Sequence, residues 1–533
     1  MITSTDHHGI PLHTIDQSMF PANGTTNDIC TGTLIFSVGT QDEPLELLGI
    51  THLVEHMILG VLEHFPLPHG AVVDHESIQF HAAGHRADVA AYFEALAHTI
   101  SNFAQLTKHD LTLAKLIIKA ENPAAYTEFT SGMLSYRFGA RGPGLVHLHS
   151  PTLEAITLDE VISWVTTWFT AGQAALSFTS QAPTQLNVQL PSGARHTRPV
   201  ITCARQNPTL IAYPLLGVAL SLLVPGSYAS LLADALEYEL VQSLRTSDGL
   251  IYSVEQLIYQ LPNSMLAAAS RQHTGTSTDS EFGAANESLY QVDLILDPLP
   301  ENTVPVLKRS VLELRRIAEQ GFSTDAVIFA RTVLANNLAF DEPFAARYLD
   351  QYTSDFVAGR STPERATLIS KFIDYSVNEL ANELSDVLVH VLTSLLVAHD
   401  DDFKVSAKKA AMLGLEREKF STWQRSSTQR KGSVTVFNLE GADDTASWVH
   451  RSAKEKLTLT DTHLLKKKPS KTLFIELATI RLVGVRVCGC LCLIDDLGRH
   501  TEIDTAEFKR SKSLRAALLG RFEKRIIRNF PEL

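Results

Sequence analysis

A chain of 533 residues has room for about three or four domains, and with 44% hydrophobic and 20% charged residues it can bury several cores, which excludes disorder over most of its length. The net charge of −13 is uneven: residues 431–533 hold 19 Lys+Arg against 13 Asp+Glu, so the basic end sits behind a strongly acidic body. Such a body excludes nucleic-acid binding there, because phosphate contacts need Lys and Arg.

The N-terminal stretch MITSTDHHGIPLHTIDQ has neither a basic n-region nor an apolar h-region. No run of ~18 apolar residues predicts a transmembrane helix. Five cysteines are too few for a disulfide framework. These features predict a cytoplasmic protein.

In chain order, Cys30 to Gly39 reads as a strand rich in β-branched and aromatic residues. Leu45 to Leu62 reads as a helix, and Val89–Leu106 and Leu111–Ala120 show helical periodicity. Ala174 to Thr179 predicts a strand, and the Pro/Ser/Gly/Thr-containing stretch Gln181–Arg198 a linker. A second unit follows. It opens on the apolar run Leu215–Pro225, read as a buried helix, then a helix over Tyr228–Leu244 and strands at Leu250–Tyr259 and Leu289–Leu296. Its element order loosely mirrors the first unit without a sequence repeat. The polar segment Glu416–Gly432 predicts a second linker. Beyond it, strands are expected at Ser433–Asn438, Lys456–Thr460, Lys471–Leu477, Val483–Ile494 and Thr501–Ile503, closed by a helix from Lys512 to Ile527. The expected divisions are 1–185, 199–415, the linker 416–432 and 433–533.

The chemistry is concentrated in GITHLVEHMILG. On a helix, His52 and His56 lie one turn apart on one face, where both imidazoles can reach one metal ion. Glu55 sits at the edge of that face, placed to accept a proton from water, and Zn2+ makes that transfer feasible near neutral pH. Catalytic zinc needs a third protein ligand. Glu121, at the end of LAKLIIKAENP, is the best candidate, although a carboxylate at a helix end is ordinarily just solvated.

Together these segments resemble the pitrilysin / insulinase / mitochondrial processing peptidase family, which carries the inverted His-x-x-Glu-His motif. CTGTLIFSVGTQDEP leading into GITHLVEHM resembles the family's first strand, acidic turn and zinc helix. IIKAENPAAYTEF resembles its third-ligand helix, and RFGARGPGLVHLHSPTLEAITLDEVISWVTTWF the segment that follows. LVQSLRTSDGLIYSVEQ resembles the motif of the other half, in which an Arg and a Tyr, here Arg245 and Tyr252, face the active site.

The resemblance implies an α+β fold of two peptidase halves forming a clamshell, with zinc on His52, His56 and Glu121. It implies Glu55 as the base, and Arg245 and Tyr252 as groups that stabilise the oxyanion. The implied partners are peptides or unfolded segments as substrate, and a second copy or a related subunit in a homodimer or heterodimer. Two departures stand out. The stretch between His56 and Glu121 is short for the family, and Ala114 replaces an acidic residue often found two turns before the third ligand. They leave open a catalytically inactive, peptide-binding subunit as the alternative, and a protease maturing one cognate peptide is a further possibility. Asp74, His75 and Glu76 fall where the family places an edge strand that binds substrate.

The last hundred residues are similar to the small pleckstrin-homology-like domains of bacteria: a β-rich unit with a capping helix. Cys488, Cys490 and Cys492 alternate, which on a strand puts them on one face, a core face more often than a metal site. Lys466, Lys467 and Lys468 read as a solvated turn that could touch an anionic membrane surface.

Overall fold

The computed structural model describes residues 2–15, 28–121, 129–148, 152–198, 201, 203, 208–213, 217–261, 289–339, 342–399, 405–419, 428–429, 446–467 and 472–530. Two six-stranded sheets form its body. The first contains β1 (Ile2–His7), β2 (Ile10–Ile15), β3 (Ile29–Phe36), β4 (His69–Val73), β5 (Ile78–His85) and β6 (Ala174–Phe178), in the order β1-β2-β6-β3-β5-β4. The second contains β7 (Thr209–Ala212), β8 (Val218–Pro225), β9 (Ile251–Gln260), β10 (Leu289–Pro298), β11 (Leu396–His399) and β12 (Glu416–Lys419), in the order β12-β7-β11-β8-β10-β9.

The two sheets are built alike. In each, the second and third strands of the order run parallel, and the three that follow are antiparallel to their neighbours. Only the outermost strand differs, β1 pairing antiparallel and β12 parallel. The loose mirroring of element order therefore extends to strand pairing, although no sequence repeat accompanies it.

Two expected elements come out differently here. The run read as a buried helix at Leu215–Pro225 contains β8, a strand paired on both sides. A strand buried on both faces reads as a continuous apolar run, which periodicity cannot tell from a helix. Residues Glu416–Lys419, expected to open a linker, are β12 instead; most of 420–445 lies outside the described residues, as does the strand expected at 433–438.

One face of each sheet is covered by its own helices. On the first sheet these include α1 (Ile50–Leu62), α2 (Arg86–Ser101) and α3 (Lys108–Glu121). The opposite faces are covered by exchange. From the first half, α4 (Phe129–Phe138) lays Phe129, Met133 and Tyr136 on Ile211, Tyr213, Ala219, Leu396 and Ala398 of the second sheet. Gly132 permits this approach, since a Cβ there would lie 2.3 Å from the Tyr213 hydroxyl. From the second half, a helix at Glu342–Ala358 lays Ala345 and Leu349 on Ile15, and Val357 on Ile35 and Ala175, of the first sheet.

Arg137 fastens the first of these exchanges. It is fully buried, and its guanidinium donates to the Gln291 side chain at 3.2 Å, the Ser394 carbonyl at 2.9 Å and the Ser221 carbonyl at 3.0 Å. Asp293, also fully buried, accepts from Thr130 of α4 at 2.6 Å and supplies negative charge near Arg137.

The C-terminal unit has strands at Ala446–Val449, Lys456–Leu459, His463–Lys467 and Thr472–Glu476, then at Ile480–Val485, Leu491–Asp495 and His500–Ile503, followed by a helix at Ser511–Leu519. Three details depart from expectation. Val483–Ile494 is not one strand but a hairpin that reverses at Gly489, whose φ of 88° suits glycine. The final helix stops at Leu519, and Ile527–Asn529 returns as a strand parallel to Ile480–Val485. Lys466 and Lys467 lie on a strand rather than in a turn, with Lys466 paired to Glu455 at 3.6 Å; Lys468 lies outside the described residues.

Replacing Arg137 by Met leaves Gln291, Ser221 and the Asp293 carboxylate buried without their cation. The expected cost is about 3–5 kcal/mol of stability, read from chemical denaturation, because removing one partner of a buried charged network strands the rest.

Candidate metal centre

The segment entering α1 is two short 3-10 turns, Thr40–Asp42 and Leu45–Leu47. Between them Glu43 is buried, and its two carboxylate oxygens accept from the backbone N–H of Gly49 at 2.6 Å and Thr51 at 2.9 Å. These are two of the donors that a helix start leaves unpaired. Burial pushes the Glu43 carboxyl up to about 7 against the pull of those N–H groups. Arg198 holds the preceding turn, gripping both oxygens of Asp42 at 2.8 Å and donating to the Glu76 carbonyl at 2.6 Å.

Leu53, Val54, Met57, Ile58 and Leu62 turn into the first core. By length and composition alone Leu45–Leu62 could cross a membrane, but 67% of it is buried inside the protein. That packing leaves His52, Glu55 and His56 on the remaining face. On α3, Leu111, Ala114 and Ile118 are buried at helical spacing, and Glu121, one step further along the same face, is brought to α1.

The three expected ligands converge. His52 Nε2 and His56 Nε2 are 3.0 Å apart, and one Glu121 oxygen lies 3.5 Å from the first and 3.2 Å from the second. A tetrahedral zinc with bonds of ~2.0–2.1 Å needs its ligand atoms about 3.3 Å apart, so the triangle fits the ion without rearrangement. It is the one group of three or more potential ligands this close among the described residues. Burial lowers the His52 pKa and favours the neutral imidazole that binds metal. Glu121 is 49% exposed, so the site opens to solvent on that side.

Glu55 is buried, with an oxygen 3.8 Å from His52 Nε2. Burial, and then the nearby Glu121 charge, raise its pKa to about 7. That is the range a general base needs near neutral pH. Ala114 is buried in the core, so no second carboxylate stands behind Glu121 at that position.

Arg245 and Tyr252 come together elsewhere. Arg245 lies in the π-helical turn Val241–Ser247, Tyr252 on β9, and the guanidinium carbon is 5.6 Å from the ring centroid. Tyr252 is 73% exposed, and none of the described contacts joins either residue to His52, Glu55, His56 or Glu121. Asp74, His75 and Glu76 form the turn between β4 and β5, with Asp74 accepting from His75 Nδ1 at 2.6 Å. Glu76 pairs with Arg360, which also holds Asp355 at 2.7 Å. The three residues line a cavity of about 320 Å³ between the halves, together with Tyr259, Gln351 and Arg360.

The sequence did not reveal that the C-terminal unit touches this region. Leu482, Cys492 and Ile494 of its hairpin pack with Leu45, Leu48, Ala140 and Leu145. Arg525 pairs with Glu46 at 2.6 Å, Arg528 with Glu160 at 2.6 Å, and the Ala140 N–H donates to the Asp496 carbonyl at 3.0 Å. The turn that delivers α1 is thus pinned from outside by the last hundred residues. Nothing in the composition of QDEPLELLG signals this, because its leucines look like ordinary core residues.

Replacing Glu43 by Ala leaves two buried N–H groups at the start of α1 without acceptors. The expected loss is about 1–3 kcal/mol of stability together with weaker zinc binding, measured by denaturation and by metal titration against a chelator.

No protein-family model matches the sequence, and no curated protein does. Solved structures do match in fold. A protease from Helicobacter pylori is 13% identical, with a TM-score of 0.55 over 75% of this chain and 98% of its own. A peptidase M16 inactive domain from Pseudomonas fluorescens is 12% identical, with a TM-score of 0.54 over 75% and 97%. The first half of the periplasmic protease PqqL from Escherichia coli is 15% identical, with a TM-score of 0.57 over 78% and 96%. Against whole PqqL the match covers 89% of this chain but 55% of that protein, at 15% identity and a TM-score of 0.57. The body of this chain therefore has the α+β fold of the M16 peptidases, the pitrilysin and insulinase type, and spans about half the length of whole PqqL.

Proposed function

We propose that the protein is a zinc-dependent endopeptidase acting on peptides or unfolded segments. The observation that carries this reading is the triangle of His52, His56 and Glu121, sized for one tetrahedral ion, with Glu55 beside it. Zinc, when held there, supplies a Lewis acid that polarises the peptide carbonyl and acidifies water. Glu55 takes the proton from the attacking water and delivers it to the leaving amine. Among the described residues β4 is the edge strand of the first sheet, along which a peptide can add as a further strand.

A second copy, or a related subunit, completes the chamber. Two observations support this: no described contact joins the Arg245–Tyr252 pair, with its exposed Tyr252, to the candidate metal ligands of its own chain, and the chain matches just over half of whole PqqL. In a pair, Arg245 and Tyr252 of one subunit face the metal site of the other and hold the carbonyl oxygen as charge develops on it. The alternative, a non-catalytic partner subunit, is favoured by Ala114 and by the likeness to an M16 inactive domain.

Zinc content and cleavage of a mixed peptide library, compared between wild type and Glu55→Gln, test the reading. Stoichiometric zinc in both with cleavage in wild type alone is the expected result; zinc without cleavage in either favours a non-catalytic subunit or a protease for one narrow substrate, and absence of zinc overturns the metal site. Mixing Glu55→Gln chains with Arg245→Ala/Tyr252→Phe chains is expected to restore up to about a quarter of wild-type activity if subunits pair at random and share sites. A mixture no more active than its components would show that each site is completed within one chain.

A further inference from the structure

We propose that Cys488 and Cys490 form a redox dithiol that reduces small-molecule disulfides by thiol–disulfide exchange and closes to a disulfide of its own. The two residues do not lie with Cys492 along one strand. They occupy the turn of the hairpin between Ile480–Val485 and Leu491–Asp495, where Gly489 N–H donates to the Arg486 carbonyl at 2.8 Å and Arg486 N–H to the Cys490 carbonyl at 3.0 Å. Cys492 alone is on the strand, buried against the peptidase body.

The turn aims a donor at one sulfur: the Cys490 N–H donates to Cys488 Sγ at 3.4 Å. The Cys490 side chain and then this N–H, helped by Arg486 and opposed by burial and Asp504, lower the Cys488 pKa and favour its thiolate. A second cation is close by, because a Cβ built on Gly489 would lie 3.3 Å from an Arg515 nitrogen. Cys488 is exposed, whereas Cys30 and Cys492 are buried with pKa values raised by burial. A reactive cysteine is an accessible one whose surroundings favour the thiolate, and among the five Cys488 alone meets both conditions.

In the first step the Cys488 thiolate attacks one sulfur of the substrate disulfide. A mixed disulfide forms, and the departing thiolate takes a proton from solvent. The neighbouring Cys488 side chain is the main cause that raises the Cys490 pKa, and that restraint ends once Cys488 is engaged. Cys490 then loses its proton to solvent and attacks Cys488 Sγ, releasing the second thiol. Two electrons pass from the protein dithiol to the substrate disulfide. Only Gly489 separates the two cysteines within one turn, so ring closure asks for little movement of the flanking strands.

The test uses the full chain at ~1 mM oxidised glutathione, a concentration at which an intramolecular thiol competes with added ligand. Free thiols are then blocked, and the tryptic peptide from Val487 to Arg499 is weighed. Wild type is expected to give a peptide that carries a single blocking group, on Cys492, and is about 2 Da lighter than a reduced peptide bearing that one group. Cys490→Ser is expected to stall as a glutathione adduct on Cys488, and Cys488→Ser to react more than about tenfold more slowly than wild type. Accumulation of the adduct in wild type to the level seen in Cys490→Ser, or oxidation of Cys488→Ser at the wild-type rate, would overturn the proposal. All three proteins should retain the same zinc content and circular dichroism, because the turn lies outside the cores.

Discussion

The body of this protein depends on an exchange of helices between its halves, and the buried guanidinium of Arg137 is its strongest point. Each sheet has helices of its own on one face, and on its other face, among the described residues, it receives a helix supplied by the opposite half. An Arg without exposure is costly to desolvate, and here hydrogen bonds from two strands and a neighbouring loop, with Asp293 close by, offset that cost. Apolar contact alone would allow α4 to slide along the second sheet; the guanidinium bonds fix its position. Since α3 and α4 are neighbours in sequence, fixing α4 also limits where the end of α3, and with it Glu121, can sit.

The candidate metal centre is positioned by clamps converging on one end of α1. Glu43 satisfies the helix start from within, Arg198 ties the preceding turn to the β4–β5 turn, and the C-terminal unit presses on Leu45 and Leu48 from outside. None of these groups can touch an ion held by the ligand triangle. They hold the helix that carries two of its three ligands, and small displacements of such a support are what loosen a metal site. The C-terminal unit is therefore packed as part of the body and is not merely a tethered appendage.

The motif residues were the most legible part of the sequence, because His52 and His56 four apart on an apolar helix permit few other readings. Glu121 was legible only through resemblance; its own neighbourhood reads as an ordinary helix end, and its proximity to α1 follows from the buried face of Leu111, Ala114 and Ile118. Arg245 and Tyr252 do lie together, but the sequence does not show what they face, because that depends on assembly, a property no local pattern encodes. The misreading of Leu215–Pro225 has a similar origin. In a central strand both faces are buried, so the alternation that identifies a strand disappears. The hairpin at Gly489 was hidden because Cys-Gly-Cys continues an apolar alternation across the reversal. The exchanged helices were invisible for a further reason: an amphipathic face shows that a partner exists without saying which sheet it is.

That exchange sets an order of events during synthesis. The first sheet has all its strands once β6 leaves the ribosome, but the helix that covers its far face ends some 180 residues later. At ~5–20 residues per second the delay is on the order of 10–40 s. Throughout it the nascent chain carries an uncovered apolar sheet face at Ile15, Ile35 and Ala175, next to a metal helix that can already have formed. In the meantime α4 has no sheet to lie on. The first half is thus a client for chaperones until the second is made, and a truncated chain ending between the halves would meet the cell as an aggregation-prone fragment rather than as a small peptidase.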